Sequence, residues 1–234
     1  MAAEFIGHGV FGWLRKPSWV PYFGVAGIAP DTARTLMPLV GWHDVALGVI
    51  GLLSPRPLLL AWMSVWGLWT ALLRPLSGEP FWEALERAGN IGVPLAFLVY
   101  AWPKSRGGWL APVRPSLDDA TRARLAVILR WTTALLLIGH GALGAVVHKP
   151  MLVQHASLIG ASATTLGFLE IAMGLAILVR PWPMLLAFAC AWKLATESLF
   201  LMAGAPVWEF IERGGSYAAP LALLWLAARR RPPA

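Results

Sequence analysis

An internal repeat accounts for nearly all of this 234-residue chain. The Ile-Gly-His-Gly run at 6–9 returns at 138–141, and the Trp-Glu-rich segment at 80–89 returns at 206–215. Other residues return singly in the same order: Lys16 as Lys149, Asp44 as Glu170, Gly48 as Gly174, Trp66 as Trp192, Thr70 as Thr196 and Pro94 as Pro220. Chance does not produce so many ordered matches, so we expect two copies of one structural unit. We place the first copy at 1–103, a basic linker at 104–123 and the second copy at 124–231.

Each copy holds four apolar segments. They lie at 3–14, 36–53, 57–74 and 88–102 in the first copy and at 125–147, 160–179, 183–202 and 215–229 in the second. Only 13% of the residues are charged, about half the share in soluble domains. Several segments approach the roughly 20 residues that cross a bilayer, whereas the first is short, which predicts a truncated helix or a start upstream of Met1. We predict an all-α, polytopic membrane helical bundle of about eight transmembrane helices, with two tandem four-helix repeats related by a parallel pseudo-two-fold axis.

The composition also excludes other classes of protein. A single cysteine, Cys190, rules out a disulfide scaffold, and a mean hydropathy of +0.63 rules out disorder. The net charge of +7 does not indicate nucleic-acid binding, because the basic residues flank apolar segments without a base-reading motif. Basic clusters at 104–124 and 229–231 instead follow the positive-inside pattern. They predict a multi-pass protein of the bacterial inner (cytoplasmic) membrane, with both termini cytoplasmic.

Ionisable residues within apolar segments are costly and often mark functional sites. Counted along the predicted helices, His8 and Asp44 fall at the same depth in the outer half of the membrane, and His140 and Glu170 repeat the arrangement. Such a pair can relay protons, orient an imidazole toward a metal or hydrogen-bond a quinone carbonyl. It can equally lock two helices together. Three histidines without counterparts are expected at or near helix ends: His43, His148 and His155.

The most specific motif is the Trp-Glu-x-x-Glu-Arg segment, which we call the cap. The first cap carries Glu83, Glu86 and Arg87, and the second carries Glu209, Glu212 and Arg213. Each cap predicts a short interfacial helix on the outer side, stabilised by ion pairs from Glu83 to Arg87 and from Glu209 to Arg213. The cap carboxylates can also fold over the histidines as an acid, a metal ligand or a cation-pairing group.

The two copies differ at two positions of the third apolar segment. Lys193 and Glu197 stand where the first copy has Gly67 and Ala71. Duplicated scaffolds often keep one working site, so we expect function to concentrate in the second copy. The expected catalytic residues are His140, Glu170, Lys193 and Glu197. The expected ligand-binding residues are His8, Asp44, Glu83, Glu86, Trp192, Glu209 and Glu212.

Two stretches of the second copy carry a family resemblance. One is Leu-Ile-Gly-His-Gly-Ala-Leu-Gly at 137–144 with Lys149-Pro150, and the other is Gly-Phe-Leu-Glu-Ile-Ala-Met-Gly at 167–174 with Arg180-Pro181. The segment 41–48 with Arg56-Pro57 repeats the second pattern. The repeat unit resembles the DoxX-like family of bacterial membrane proteins, and the resemblance covers nearly the whole chain as a tandem duplication. It implies a four-helix bundle and, for some members, quinone-linked or sulfur-linked redox metabolism.

The leading hypothesis is a redox-associated membrane protein with a quinone-like or lipid-like ligand beside His140, Glu170 and the second cap. Two symmetric histidines also suggest bis-histidine haem, which no further signature supports. No metal-binding or nucleotide-binding motif is present. One competing hypothesis is a proton-coupled small-molecule transporter or channel, against which Pro94 and Pro220 are expected near the starts of their helices. Another is a non-catalytic subunit of a larger membrane complex. Expected partners are membrane lipids and a redox partner or a larger complex.

Overall fold

The computed structural model describes residues 1–102, 108–113 and 117–228, and these residues form helices and loops without a strand. In chain order the helices are α1 (Ala2–Trp13), α2 (Val20–Gly24), α3 (Pro30–Leu53), α4 (Pro57–Leu76), α5 (Trp82–Glu86), α6 (Ala88–Ala101), α7 (Asp119–Ala145), α8 (Pro150–Leu158), α9 (Ala163–Val179), α10 (Pro183–Met202), α11 (Val207–Ile211) and α12 (Gly214–Ala228). Each predicted apolar segment coincides with a helix, and the two caps form α5 and α11. The all-α prediction is therefore confirmed.

Local sequence explains where these helices begin and end. Proline occupies the first turn of α3, α4, α8 and α10, where the missing N–H group costs nothing. The Asp118 carboxylate caps α7 by accepting a 2.7 Å hydrogen bond from the backbone N–H of Thr121. Helix α7 thus begins inside the predicted linker. Of the basic residues of this linker, Arg122 lies in the first turn of α7, and Lys104, Arg106 and Arg114 lie outside the described residues.

The helices have the length and composition of a multi-pass membrane protein. Four of them, α3, α4, α7 and α10, can each cross a bilayer, and a fifth span arises if α8 and α9, which meet at 99°, count together. Large apolar side chains such as Trp42, Leu68, Phe168 and Leu201 are exposed on the outer faces. Helices α1, α6 and α12 have 12, 14 and 15 residues, so the count of eight spans stays a prediction.

The prolines of α6 and α12 do not lie near the starts of their helices, where the sequence predicted them. Both helices are short, so Pro94 and Pro220 lie near their midpoints, not near their starts. Each helix nevertheless continues through its proline. Among the described residues, α8 and α9 are the one bent pair of helices that together are long and apolar enough to form a broken span.

Helices pair within each copy and pack across the two copies. Helix α1 packs along α3 and α7 along α9, while α4 packs on α6 and α10 on α12. Few contacts join α3 to α4 or α9 to α10, so each copy consists of two helix pairs. Helix α7 packs on α5 and α6 of the first copy, and α1 packs on α11 of the second. The histidine-bearing helix of each copy therefore lies beside the cap of the other.

Candidate functional site

Glycines bring each histidine-bearing helix into backbone contact with its neighbour. A Cβ atom at Gly12 would lie 2.7 Å from the Cα atom of Gly41. In the second copy, a Cβ atom at Gly141 would lie 2.5 Å from the carbonyl oxygen of Gly167. No other side chain fits such a distance, so these glycines serve close helix packing.

The second copy forms the predicted histidine–carboxylate pair. Nδ1 of His140 is hydrogen-bonded to Oε2 of Glu170, and Nε1 of Trp192 donates to Oε1 of Glu170 at 2.9 Å. Nζ of Lys193 lies 3.5 Å from the same Oε1 atom and 2.8 Å from Oε1 of Glu197. Lys193 is fully buried. A cavity of about 30 Å³ remains beside His140, which is large enough to hold a water molecule.

The first copy brings the equivalent residues close without joining them. Nε1 of Trp66 donates to Oδ1 of Asp44 at 2.8 Å, as Trp192 does to Glu170. Asp44 is paired with His43, whose Nδ1 atom lies 3.1 Å from the same oxygen. Nε2 of His8 lies 3.4 Å from Nδ2 of Asn90 and 3.6 Å from Oε2 of Glu212. The described residues therefore show no hydrogen bond between His8 and Asp44, and His43 takes the place of His8.

A cavity of about 210 Å³ separates these groups in the first copy; we call it the aromatic cavity. Rings and polar groups line it together: Trp19, Tyr22, Phe23, Trp66 and Trp69 with His8, Asp44, Arg74 and Arg87. Its rim includes the exposed residues Ala26 and Trp69. An apolar cavity of about 150 Å³ holds benzene, so the aromatic cavity has room for a substituted ring.

Each cap forms an ion pair with the other copy. Lys16, which follows α1, lies 2.7 Å from Oε1 of Glu209. Lys149, which follows α7, lies 2.5 Å from Oε1 of Glu83. Both lysines follow a histidine-bearing helix, so the two ion pairs occupy equivalent places in the repeat. Of the roles that the sequence left open for the caps, the structure shows cation pairing.

The ion pair expected within the first cap does not form. Nη1 of Arg74 lies 3.3 Å from Oε2 of Glu83, and Lys149 occupies the other carboxylate oxygen. Within the described residues Arg87 consequently has no carboxylate at ion-pair distance. Its Nε atom has no hydrogen-bond partner, although only 7% of the residue is exposed. This buried cation lines the aromatic cavity beside His8.

Arg213, the equivalent of Arg87, is surrounded by carboxylates. Its Nη1 atom lies 2.8 Å from Oε1 of Glu86, and its Nε atom lies 3.5 Å from Oε2 of Glu197. The pair expected with Glu209 forms at 3.6 Å. Burial lowers the pKa of Arg213, but the carboxylates outweigh burial and raise it. Burial likewise raises the pKa of Glu86, yet Arg213 and Lys149 hold it well below its ordinary value.

Sequence reasoning missed the polar groups that close the aromatic cavity. Tyr22 Oη donates to Oε1 of Glu79 at 2.5 Å, and Nη1 of Arg74 lies 3.0 Å from Oε2 of Glu79. The pKa of Tyr22 is raised, chiefly by burial. One signal was available: Arg74 ends an apolar segment at the position where the second copy has Phe200.

One of the unmatched histidines lies elsewhere than expected, since His43 is in the middle of α3. His155 lies in the last turn of α8, as expected, but it is buried, and its ring packs edge-on against Phe200 with 4.5 Å between centroids. His148 is exposed just after α7, as expected. No group of three His, Cys, Asp or Glu side chains in the described residues is placed to hold a metal ion.

No family model, curated protein or solved structure matches this chain.

Proposed function

We propose that the chain is a redox-associated membrane protein that holds the ring of a quinone-like ligand in the aromatic cavity. Arg87 carries the proposal, because it is buried at the cavity wall without a carboxylate partner in the described residues. A buried donor without an acceptor is costly, and a carbonyl oxygen of a bound ligand would satisfy it. Quinone-linked metabolism is also what the DoxX-like resemblance implies for some members.

The walls of the cavity suit a flat ring with two polar ends. Trp19, Trp66 and Trp69 offer indole faces for stacking. His8 adds a second polar group near Arg87, while His43 and Trp66 hold Asp44 in place. In the second copy, the cavity lined by His140, His155 and Glu170 has a volume of only about 30 Å³. The proposed ligand therefore lies beside His8, and the role expected for His140 and Glu170 becomes one of stabilisation.

We further propose the eight-span arrangement with two DoxX-like copies related by a pseudo-two-fold axis. The equivalent cross-copy ion pairs support it, as do Arg15 and His148, which adopt the same left-handed conformation with φ near 50° and 53°. Both termini are proposed to be cytoplasmic in a bacterial inner membrane. Labelling of Ser54→Cys and Ser77→Cys variants in oriented vesicles tests this, since they lie at opposite ends of α4.

The test of ligand binding uses one substitution made at equivalent positions of the two copies. Thr70 lines the aromatic cavity, and Thr196 lines the small cavity beside His140. A short-chain ubiquinone analogue is titrated against reconstituted protein, and tryptophan fluorescence reports binding. Thr70→Leu should weaken binding about tenfold by filling the cavity, and Thr196→Leu should leave the affinity unchanged. Absence of binding to the unmodified protein, or equal loss in both variants, would overturn the proposal.

One observation favours a competing function, proton-coupled transport. Buried charges follow one another from Glu170 through Lys193 and Glu197 to Arg213. Intramembrane ionisable groups in such a series are typical of proton-handling proteins. Substrate-dependent proton flux into liposomes, abolished by Glu170→Gln, would support this function. Proteoliposomes without such flux would exclude it.

A further inference from the structure

A second large cavity, of about 620 Å³, lies at the opposite end of α7 from His140. It runs between the beginning of α7, the turn from α9 to α10 and the end of α12, and we call it the basic groove. Arg122, Arg130 and Arg180 line it. The proposed function does not use this groove, and the inference drawn from it is independent of quinone binding.

The three arginines give the groove a net positive charge. Arg130 is fixed in position, because its Nε and Nη2 atoms donate to the carbonyl oxygens of Ile177 at 3.0 Å and of Val179 at 3.1 Å. Arg180 is exposed, and its guanidinium lies over the ring of Trp182 at 5.6 Å. The acidic member of the lining, Asp119, has a fully exposed side chain whose Oδ1 atom lies 3.8 Å from Nε of Arg122, so the net charge of the lining remains positive.

Apolar side chains continue the groove away from the arginines. Val127 is exposed on α7, while Leu223 and Leu226 of α12 form a buried floor. Trp182 is half exposed at the rim, where indole rings favour the membrane–water boundary. A ligand that matches both parts must be an anion at one end and a hydrocarbon at the other.

In the first copy, the turn between α3 and α4, which is equivalent to the turn between α9 and α10, is covered by another segment of the chain. There the backbone N–H of Leu58 donates to the carbonyl of Trp109 at 3.1 Å, and that of Val113 donates to the carbonyl of Pro55 at 3.0 Å. Residues 108–113 thus cover the turn between α3 and α4. No described segment covers the turn between α9 and α10 in this way. The chain continues after α12 with Arg229, Arg230 and Arg231, whose charge has the same sign as that of the groove.

We propose that the basic groove binds a membrane phospholipid with an anionic phosphodiester headgroup. Guanidinium groups donate paired hydrogen bonds to phosphate oxygens. Basic pockets between membrane helices commonly hold such headgroups. The acyl chains follow Val127, Leu223 and Leu226, and this apolar contact distinguishes the lipid from free phosphate.

The full chain is purified in phosphatidylcholine nanodiscs with added phosphatidylglycerol. The test measures the amount of each lipid that the protein retains. We expect the unmodified protein to retain phosphatidylglycerol in preference to phosphatidylcholine. Arg122→Gln combined with Arg180→Gln should weaken this retention about fivefold for each arginine removed. The matched control is Arg56→Gln, which removes an exposed arginine from the covered turn of the first copy and should change nothing. Arg122→Gln combined with Arg180→Lys, which keeps the charge at position 180, should retain part of the preference that the double variant loses.

Three results would overturn the proposal. One is equal retention of the two lipids by the unmodified protein. Another is retention in the double variant equal to that of the unmodified protein or of Arg56→Gln. The third concerns the source of the phosphate: if inorganic phosphate displaces phosphatidylglycerol at matched concentration, the apolar contacts contribute nothing and the site holds phosphate alone.

Discussion

The two copies share one arrangement of helices, but the side chains and cavities inside them differ. Trp66 holds Asp44 as Trp192 holds Glu170, and each histidine-bearing helix lies beside the cap of the other copy. In the second copy Lys193 and Glu197 form a buried ion pair, and the cavity beside His140 has a volume of only about 30 Å³. In the first copy glycine and alanine stand at the positions of that ion pair, and the aromatic cavity beside His8 has a volume of about 210 Å³.

The two copies also differ in which arginine of the caps has a carboxylate partner. Glu197 gives Arg213 a carboxylate partner, whereas Ala71 leaves Arg87 without one in the described residues. A paired guanidinium holds helices together, and an unpaired one is available to a ligand. On this comparison, substitutions in the second copy should lower stability and substitutions in the first should lower affinity.

The largest loss of stability is expected from Lys193→Met. This substitution leaves Glu170 and Glu197 without their shared cation in a fully buried position. Removing one partner of a buried ion pair costs about 3–5 kcal/mol, so the thermal unfolding midpoint in detergent should fall sharply. The control is Lys193→Met with Glu197→Leu, which removes both charges and should recover much of the loss. A midpoint unchanged in the single variant would show that the network does not stabilise the second copy.

Converting the first copy toward the second tests the other half of the comparison. Ala71→Glu places a carboxylate at the position equivalent to Glu197, where it should pair with Arg87. Arg87 then loses its availability, and the affinity for a ubiquinone analogue should fall at least about tenfold, since hydrogen bonds to charged groups contribute about 1.5–3 kcal/mol. Ala71→Gln has nearly the same size without the charge and should have a smaller effect. If Ala71→Glu binds like the unmodified protein, Arg87 is not a ligand donor.

Much of the fold could be predicted from local signals. Prolines at 30, 57 and 183 begin helices, and the apolar segments set their length. The His140–Glu170 pair was also predictable, because glycines and matched depth constrain two neighbouring helices. The crossing of the caps was not, because spacing along the chain does not determine which copy a cap faces.

The aromatic cavity was hidden from sequence reasoning for a different reason. The first copy lacks ionisable residues at the positions of Lys193 and Glu197, so the sequence indicated function in the second copy. The volume of a cavity depends instead on which side chains the neighbouring helices place around it. Tyr22 and Glu79 come from loops and turns whose positions follow from tertiary packing.

The proposed equivalence of the two copies predicts that the two cross-copy ion pairs contribute equally to stability. Double-mutant cycles with Lys16→Met and Glu209→Gln, and with Lys149→Met and Glu83→Gln, measure the two couplings. Each lysine side chain is about one-quarter exposed, at 24% and 26%, so we expect about 1 kcal/mol from each pair. Similar values would support the proposed pseudo-two-fold arrangement. Coupling in one pair alone would contradict it.

The smallest expected effect is a difference between the two caps in how their carboxyl groups change the free energy of unfolding at low pH. Burial raises the pKa of both Glu86 and Glu212, but neighbouring cations outweigh it: Arg213 and Lys149 for Glu86, and Lys16 and Arg213 for Glu212. A carboxyl with a lowered folded-state pKa contributes stability that is complete above its unfolded pKa of about 4.3 and is lost as the pH falls toward the folded value. The free energy of unfolding should therefore decrease below roughly pH 4. Glu86→Gln should flatten this decrease more than Glu212→Gln, because Nη1 of Arg213 lies 2.8 Å from Oε1 of Glu86, whereas the nearest lysine or arginine nitrogen to Glu212, Nζ of Lys16, lies 3.6 Å away. Unfolding measured across an acid pH series checks the order, and equal flattening by the two variants would show that the caps are electrostatically equivalent.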